Sequence, residues 1–372
     1  MHVVLFIGVG LGEIPLGARP DDLAEVLCEL ALAAPGTCAL RALNRLDGKL
    51  DLHNAELLSA AVQVAAGFRS LYNLPESISL LRGKGDDAYW RLTLQYGLDG
   101  NIQAMLDEYA HVLLDSPGLQ NSSATKQVTT IAQTMQSVLS LRTAQLQIDE
   151  FKPEEGTFRV TPFGTRSRFA LRFADIRGDD AKSHTRAEIV KDAFNSPFRP
   201  FVLASTSIGQ EGLDFHTWCH AVMHWNLPSN PVDLEQREGR VQRYKGHAVR
   251  KNIAECYGLT ALSNAEQHQD PWRGLFSQAA KNRQPSQSEL IPYWIFDEGS
   301  ARVERRIPLL PLSKESNKYN QLKQGLTLYR LVFGQPRQED LLFSIGKNAI
   351  GQSADAERWM ISLEPPASDL KG

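Results

Sequence analysis

Cysteine is scarce in this 372-residue chain: four occur, at positions 28, 38, 219 and 256, and no two fall in a C-x-x-C spacing. That excludes a disulfide scaffold and a four-cysteine zinc site, and fits a reducing cytosol. Neither sign of charge is in excess. Forty Lys and Arg face 43 Asp and Glu for a net charge of −3, which argues against a histone-like or polybasic binder while leaving room for local basic patches. No apolar run approaches the roughly 18 residues of a membrane span. The opening Met1-His-Val-Val-Leu-Phe-Ile-Gly8 has the short apolar core of a signal peptide but no basic first region and no cleavage site. A soluble, cytoplasmic protein without a membrane partner is expected. No internal repeat of fixed period is present. What remains is ordinary: 42% apolar and 22% charged residues, a globular composition on a chain long enough for two or three domains.

Helical periodicity dominates residues 22–114. Leu23, Val26, Leu27, Leu30 and Ala31 recur at spacings of three and four and predict one apolar face. Glu56–Arg69 and Ile102–Leu114 repeat the pattern, with turn signals between them at Asn73-Leu-Pro75 and Arg82–Asp87. Residues 115–126 read as a polar linker, and a further helical run follows to about Asp149. After Lys152 the texture changes. Arg166–Phe173 alternates like a strand, and Thr185-Arg-Ala-Glu188 is a capping box opening a helix over Arg186–Phe194. Pro200–Ser205 and His220–Trp225 read as buried parallel strands, and Asp233–Tyr244 as a helix. The pattern predicts an α/β layer at 151–255 between a mostly helical region at 1–150 and a mostly helical extension at 256–372, the latter with a Gln/Ser-rich surface at 277–289.

The chemistry concentrates in residues 200–250. Thr206-Ser-Ile-Gly-Gln-Glu-Gly-Leu-Asp214 follows a predicted strand, and α/β sheets place ligands at such strand ends. Gly209 and Gly212 expose backbone N–H groups that suit phosphate oxygens. Twenty-two residues after Asp214 comes Gln236-Arg-Glu-Gly-Arg-Val-Gln-Arg243, in which Arg240 and Arg243 are three apart and share a face of the predicted helix. Gly239 beside them leaves room for close approach. Two guanidiniums on one face match the charge that spreads over a γ-phosphoryl group during transfer. The basic cluster Arg237, Arg240, Arg243, Lys245, Arg250 and Lys251, opposed by Glu238 alone, suits polyanion contact in an otherwise net-acidic chain.

Gly-x-x-Gly-Leu-Asp214 after a strand, then Gln236-x-x-Gly-Arg-x-x-Arg243 on a helix, resembles motifs V and VI of superfamily 2 helicases and translocases. The intervening Trp225–Arg237 looks like the bacterial Swi/Snf-type branch, and motif-level resemblance covers roughly 165–250. It implies an α/β fold with a RecA-like parallel-sheet lobe flanked by largely helical regions. Thr206 and Ser207 would lie near the nucleic-acid backbone, with Lys245 and Arg250 adding basic contacts. Gly209, Gly212 and Asp214 would form the turn that couples that backbone to the nucleotide site. Gln236 and Arg240 would reach the nucleotide phosphates, and Arg243 would be the finger on the γ-phosphate. The implied cofactor is ATP with Mg²⁺ and the implied partner DNA or RNA.

The phosphate loop G-x-x-x-x-G-K-[ST] is absent: Gly48-Lys49 precedes Leu50, Gly83-Lys84 precedes Gly85, and Gly346-Lys347 precedes Asn348. The chain therefore looks like the C-terminal half of a helicase, inactive alone. A first lobe, on a separate polypeptide of the same operon or on a longer version of this one, would hold the Mg²⁺. The rival expectation is a non-catalytic nucleic-acid or partner-binding scaffold derived from such a lobe. Two sequence patterns imitate metal sites. Asp107-Glu-Tyr-Ala-His111 resembles an Mg²⁺ box but follows a helical run and reads as a helix-surface acidic pair. His216, Cys219, His220 and His224 have zinc-like spacing but straddle a turn and a strand, where His220 and His224 read as packing residues.

Overall fold

The computed structural model describes residues 21–46, 50–83, 85, 87–115, 118–141, 144–154, 157–167, 181–204, 214–264, 269–285, 287–309 and 312–332. The chain divides into two compact units. One takes in residues 1–171, 176–203 and 257–281, and the other residues 172–175, 204–256 and 282–372.

The first unit is a helical assembly of α1 (Leu23–Ala33), α2 (Pro35–Arg45), α3 (Ala55–Tyr72), α4 (Pro75–Arg82), α5 (Tyr89–Asp99), α6 (Ile102–Leu114) and α7 (Ala124–Leu139). Its starts obey local rules. Pro35 and Pro75 occupy first-turn positions where a missing N–H costs nothing. Asn54 accepts from the Leu57 amide at 2.9 Å to cap α3. α3 packs along α7, and α2 lies against α3 and α6. Leu57, Val64 and Phe68 of α3 and Ile131, Met135, Val138 and Leu139 of α7 are buried in this core. Gly67 lets the two helices approach, since a Cβ there would meet Leu139 Cδ1 at 2.9 Å and Gln136 Cα at 3.2 Å. The expected apolar face of α1 is only partly covered among the described residues: Leu23 and Val26 are half-buried, Leu27 and Leu30 are exposed, and only Ala33 of the helix is buried.

The helical run expected to reach Asp149 ends at Leu139. Residues Ala144–Glu154 (β1) instead pair antiparallel with Thr157–Ser167 (β2), in register from Ala144 with Ser167 to Glu154 with Thr157. Alternation in Gln145-Leu-Gln-Ile-Asp149 is a two-residue period, and it overrides the helical reading. Arg166 and Ser167 close β2, while the rest of the expected strand at 166–173 lies outside the described residues. Helix α8 (Ala181–Phe194) starts before the expected Arg186 and packs on α7. The expected strand at Pro200–Ser205 is irregular over its described residues 200–204, and Phe201 and Val202 are each 80% exposed. Pro197 and Pro200 lack the amide donors that a ladder needs.

The second unit holds β3 (Ala221–Met223), α9 (Pro231–Gly239), the first part of α10 (His247–Asn264), β4 (Glu304–Arg306) and α12 (Glu315–Val332), with α11 (Pro271–Asn282) belonging to the first unit. β3 pairs parallel with β4, Ala221 opposite Glu304 and Met223 opposite Arg306. The His220–Trp225 run is thus parallel as expected, but its strand is three residues long and half-buried to exposed rather than buried. Met223 and Trp225 are open to solvent, and the partner comes from the C-terminal extension. Leu227, Leu234 and Leu322 form the core between α9 and α12, with Ile307 and Tyr319 against it. The molecule is mostly helical with a small two-stranded parallel sheet, and a RecA-like lobe is only weakly developed among the described residues.

Candidate phosphate and nucleic-acid site

Helix α9 carries the glutamine–arginine motif and is fixed from beneath by a buried carboxylate. Asn230 accepts from the Val232 amide at 2.9 Å and Pro231 opens the first turn, so the start is defined by capping. Glu238, 3% exposed, faces the sheet. His224 Nε2 lies 3.2 Å from its Oε1, and Arg305 grips it through Nε to Oε1 and through Nη2 to Oε2 at 2.8 Å. Burial works to lower the pKa of Arg305, but the hydrogen bonds and charge of Glu238 outweigh it, and the net shift is upward. Such a fork-to-fork pair fixes orientation as well as position.

The helix stops at Gly239, five residues short of the expected Tyr244. Arg240 is its C-cap, and Arg243 follows in a turn, so the two arginines do not share a helical face. The cause is local: Gly239 weakens the last turn, and Gly246 donates back to the Arg243 carbonyl at 3.0 Å. A Cβ at Gly246 would stand 3.1 Å from that same oxygen. The turn nevertheless joins the two motifs. The Phe215 amide donates to the Arg240 carbonyl at 3.0 Å. One residue earlier, Asp214 Oδ1 lies 3.1 Å from Arg243 Nε, both side chains about half exposed. Gln236 is exposed and Arg240 half-buried. Thr206, Ser207, Gly209 and Gly212 lie outside the described residues.

Lys245 and Arg250 part company. Lys245 has a left-handed backbone, φ 49°, and its amide donates to the Tyr293 carbonyl at 2.7 Å. Its ammonium sits 5.5 Å from the centre of the Tyr244 ring. Arg250 is fully buried. It donates to the Lys245 carbonyl at 2.7 Å and to the Thr217 carbonyl, and its guanidinium lies 4.8 Å over the Trp218 ring. Arg250, expected at a nucleic-acid surface, is thus enclosed within the fold rather than open to solvent. Sequence reading missed Glu238 as an anchor, and missed Arg305 altogether. The only signal was Glu238 within a basic helix, and its partner is remote in sequence.

Among the described residues no group of three or more His, Cys, Asp and Glu stands together in a way that could hold an ion. Asp107 is not on the helix surface. It is buried against Arg45, 2.6 Å away, and Gln103, 3.0 Å away. Burial pushes its pKa up to about 6 against the opposing pull of Arg45. His111 Nδ1 lies 2.5 Å from Asp270, whose other oxygen accepts from the Trp272 amide to cap α11. In the second pattern His224 is buried on Glu238 as a packing residue, whereas His220 is exposed.

The exposed Gln236 and Arg243 side chains, with the half-buried Arg240 between them in sequence, offer hydrogen-bond donors that suit phosphate. Residues 130–245 match the family model of the helicase conserved C-terminal domain, a stretch of under a third of the chain that contains both motifs. No curated protein and no solved structure matches the chain significantly. The match gives the motif-bearing segment a helicase-related context.

Proposed function

We propose that the chain acts as the second lobe of a superfamily 2 helicase-like motor of the Swi/Snf-type branch. It would contribute nucleic-acid contacts and arginine fingers to ATP hydrolysis dependent on DNA or RNA. The observation that carries this reading is the meeting of Asp214 from the first motif with Arg243 from the second, across a separation of 29 residues. A scaffold has no physical need for that contact, whereas a finger arginine must be aimed. The exposed Gln236 amide and the Arg240 and Arg243 guanidiniums fit a polyphosphate, while no carboxylate set for Mg²⁺ exists among the described residues. Gln236 and Arg240 would hold the inner phosphates. Arg243 would hold the terminal one, where charge builds during transfer. Bound ATP supplies the phosphoanhydride whose cleavage drives the motor. Asp214 orients Arg243 through Nε, and Glu238 with Arg305 holds the helix that presents the motif.

Because a first lobe must supply the phosphate loop and Mg²⁺, the purified chain alone is expected to hydrolyse ATP negligibly. Adding a first lobe that carries the loop should give nucleic-acid-stimulated turnover. Robust stimulated turnover by the 372-residue chain alone would refute the division of labour.

A further inference from the structure

Immediately after Arg243 the chain builds an aromatic surface that the motifs do not account for. Tyr244 stacks on Tyr293 with ring centres 5.8 Å apart and planes 16° apart, and Trp294 meets Tyr244 edge-on at 6.0 Å and 64°. Tyr244 and Trp294 are each about 40% exposed, so both rings offer surface to a ligand. The hydrogen bond from the Lys245 amide to the Tyr293 carbonyl, at 2.7 Å, ties the two ring-bearing turns together.

Trp294 also walls a cavity of about 460 Å³, with Val241, Arg243, Phe296, Asp297 and Arg302 around it. Its frame is rigid. Asn252 donates to the carbonyls of Phe296 (2.7 Å) and Ala301 (3.1 Å) and accepts from the Ala301 amide at 2.7 Å. Gly299 is pressed so close that a Cβ would fall 2.3 Å from Asn252 Oδ1. Arg302, exposed at the rim, is held by the carbonyls of Gly299 at 2.7 Å, Ala301 at 2.8 Å and Asp297 at 3.1 Å. The lining thus combines an indole, two guanidiniums and one carboxylate.

The geometry points to a site for an unpaired nucleobase and its phosphate: Trp294 stacks the base, Arg302 takes the phosphate, and Asp297 accepts from the base's amino group. Stacking on an indole tolerates any base, because every base has a π-face. A base inside a duplex has no such face to offer, so the occupant is a single strand or a free nucleotide. The inference takes from the proposed function only the ligand class. Its own support is the ring and guanidinium geometry.

The test is fluorescence anisotropy on the full chain with a labelled single strand of about a dozen nucleotides, as DNA and as RNA. The same sequence as duplex and unlabelled ATP serve as competitors. Trp294→Ala is expected to weaken strand binding about tenfold or more, with Trp294→Phe retaining most of it. Arg302→Ala should flatten the salt dependence by about 0.7 in log–log slope, as for one phosphate contact on a single strand. If instead ATP binds and Trp294→Ala weakens that binding, the free nucleotide is the occupant and the site stands. The inference is overturned if Trp294→Ala, melting like wild type, binds strand and ATP as wild type does, or if the wild-type chain binds neither. Trp294-dependent binding without turnover in a two-lobe assembly would sink the motor alone. Turnover with Trp294-independent binding would sink this site alone.

Discussion

Arg243 Nε and Asp214 Oδ1 stand 3.1 Å apart, joining the last residue of the first motif to the turn that follows α9. Both side chains are about half exposed, so the pair adds about 0.2–1 kcal/mol at most to stability. Its value lies in direction. An arginine tethered through Nε presents its fork in a limited range of orientations, and the Phe215-to-Arg240 hydrogen bond beside it ties the segment after Asp214 to the end of α9.

Glu238 is expected to matter for folding more than any other charge in the second unit. Removing one member of a buried pair strands the other, at a cost of about 3–5 kcal/mol. Glu238→Ala should therefore lower the melting temperature sharply. A double variant, Glu238→Leu with Arg305→Leu, should recover much of the loss, because no stranded charge remains. Thermal unfolding of the two single variants and the double tests this. A double variant as unstable as the sum of the singles would show that Glu238 and Arg305 are not coupled.

Arg250 should behave as a structural residue. Arg250→Lys keeps the charge but cannot reach both the Lys245 and Thr217 carbonyls while lying flat on Trp218. The expected outcome is a stability loss of about 1–3 kcal/mol, with the salt slope of oligonucleotide binding unchanged. A flatter slope at unchanged stability would return Arg250 to the nucleic-acid interface.

The pH dependence of stability separates two buried groups of opposite sign. Asp107 has a folded pKa of about 6, raised from 3.8 by burial. Between those values the folded chain holds a proton that the unfolded chain releases, so this group's contribution is full below about pH 4 and is lost as pH rises through 6. Asp107→Asn, which stays neutral, should gain on wild type across that window. His247 is the reverse. Burial, then Arg250, His220 and Lys251, lower its pKa from 6.5 to about 4. The folded chain refuses a proton that the unfolded chain takes, so stability is lost as pH falls from 6.5 towards 4. His247→Gln should flatten that fall. Melting curves of both variants and wild type between pH 4 and 7 measure the differences, and pH-independent gaps would contradict both assignments.

Much of the fold was legible where one period ruled. Ile102–Leu114 is a helix with the bounds its periodicity predicts, because apolar residues recur at helical spacing and Asn101 caps it. Legibility failed where partners are remote. Nothing local marks Glu304-Arg-Arg306 as a strand. It becomes one only by pairing with Ala221–Met223, more than 80 residues earlier. Asp107 looked exposed because an Asp-Glu pair on a helix is usually solvated, and only packing against α2 brings Arg45 over it. At the candidate site the motif residues were singled out by resemblance to helicase motifs V and VI. The helix end at Gly239 was not, because the polar, arginine-rich stretch beyond it scores well for helix while Gly246 folds it into a turn.

The most direct test of the central claim is steady-state ATP turnover by a two-lobe assembly containing this chain with Arg243→Ala or Arg243→Lys. The account predicts a fall of about 10³-fold or more for alanine, with nucleic-acid affinity falling far less, because a finger acts mainly on transition-state charge. It predicts no rescue by lysine, whose point charge lacks the planar fork. Turnover unchanged in Arg243→Ala would contradict the account and leave the chain a scaffold that kept the arginine without using it.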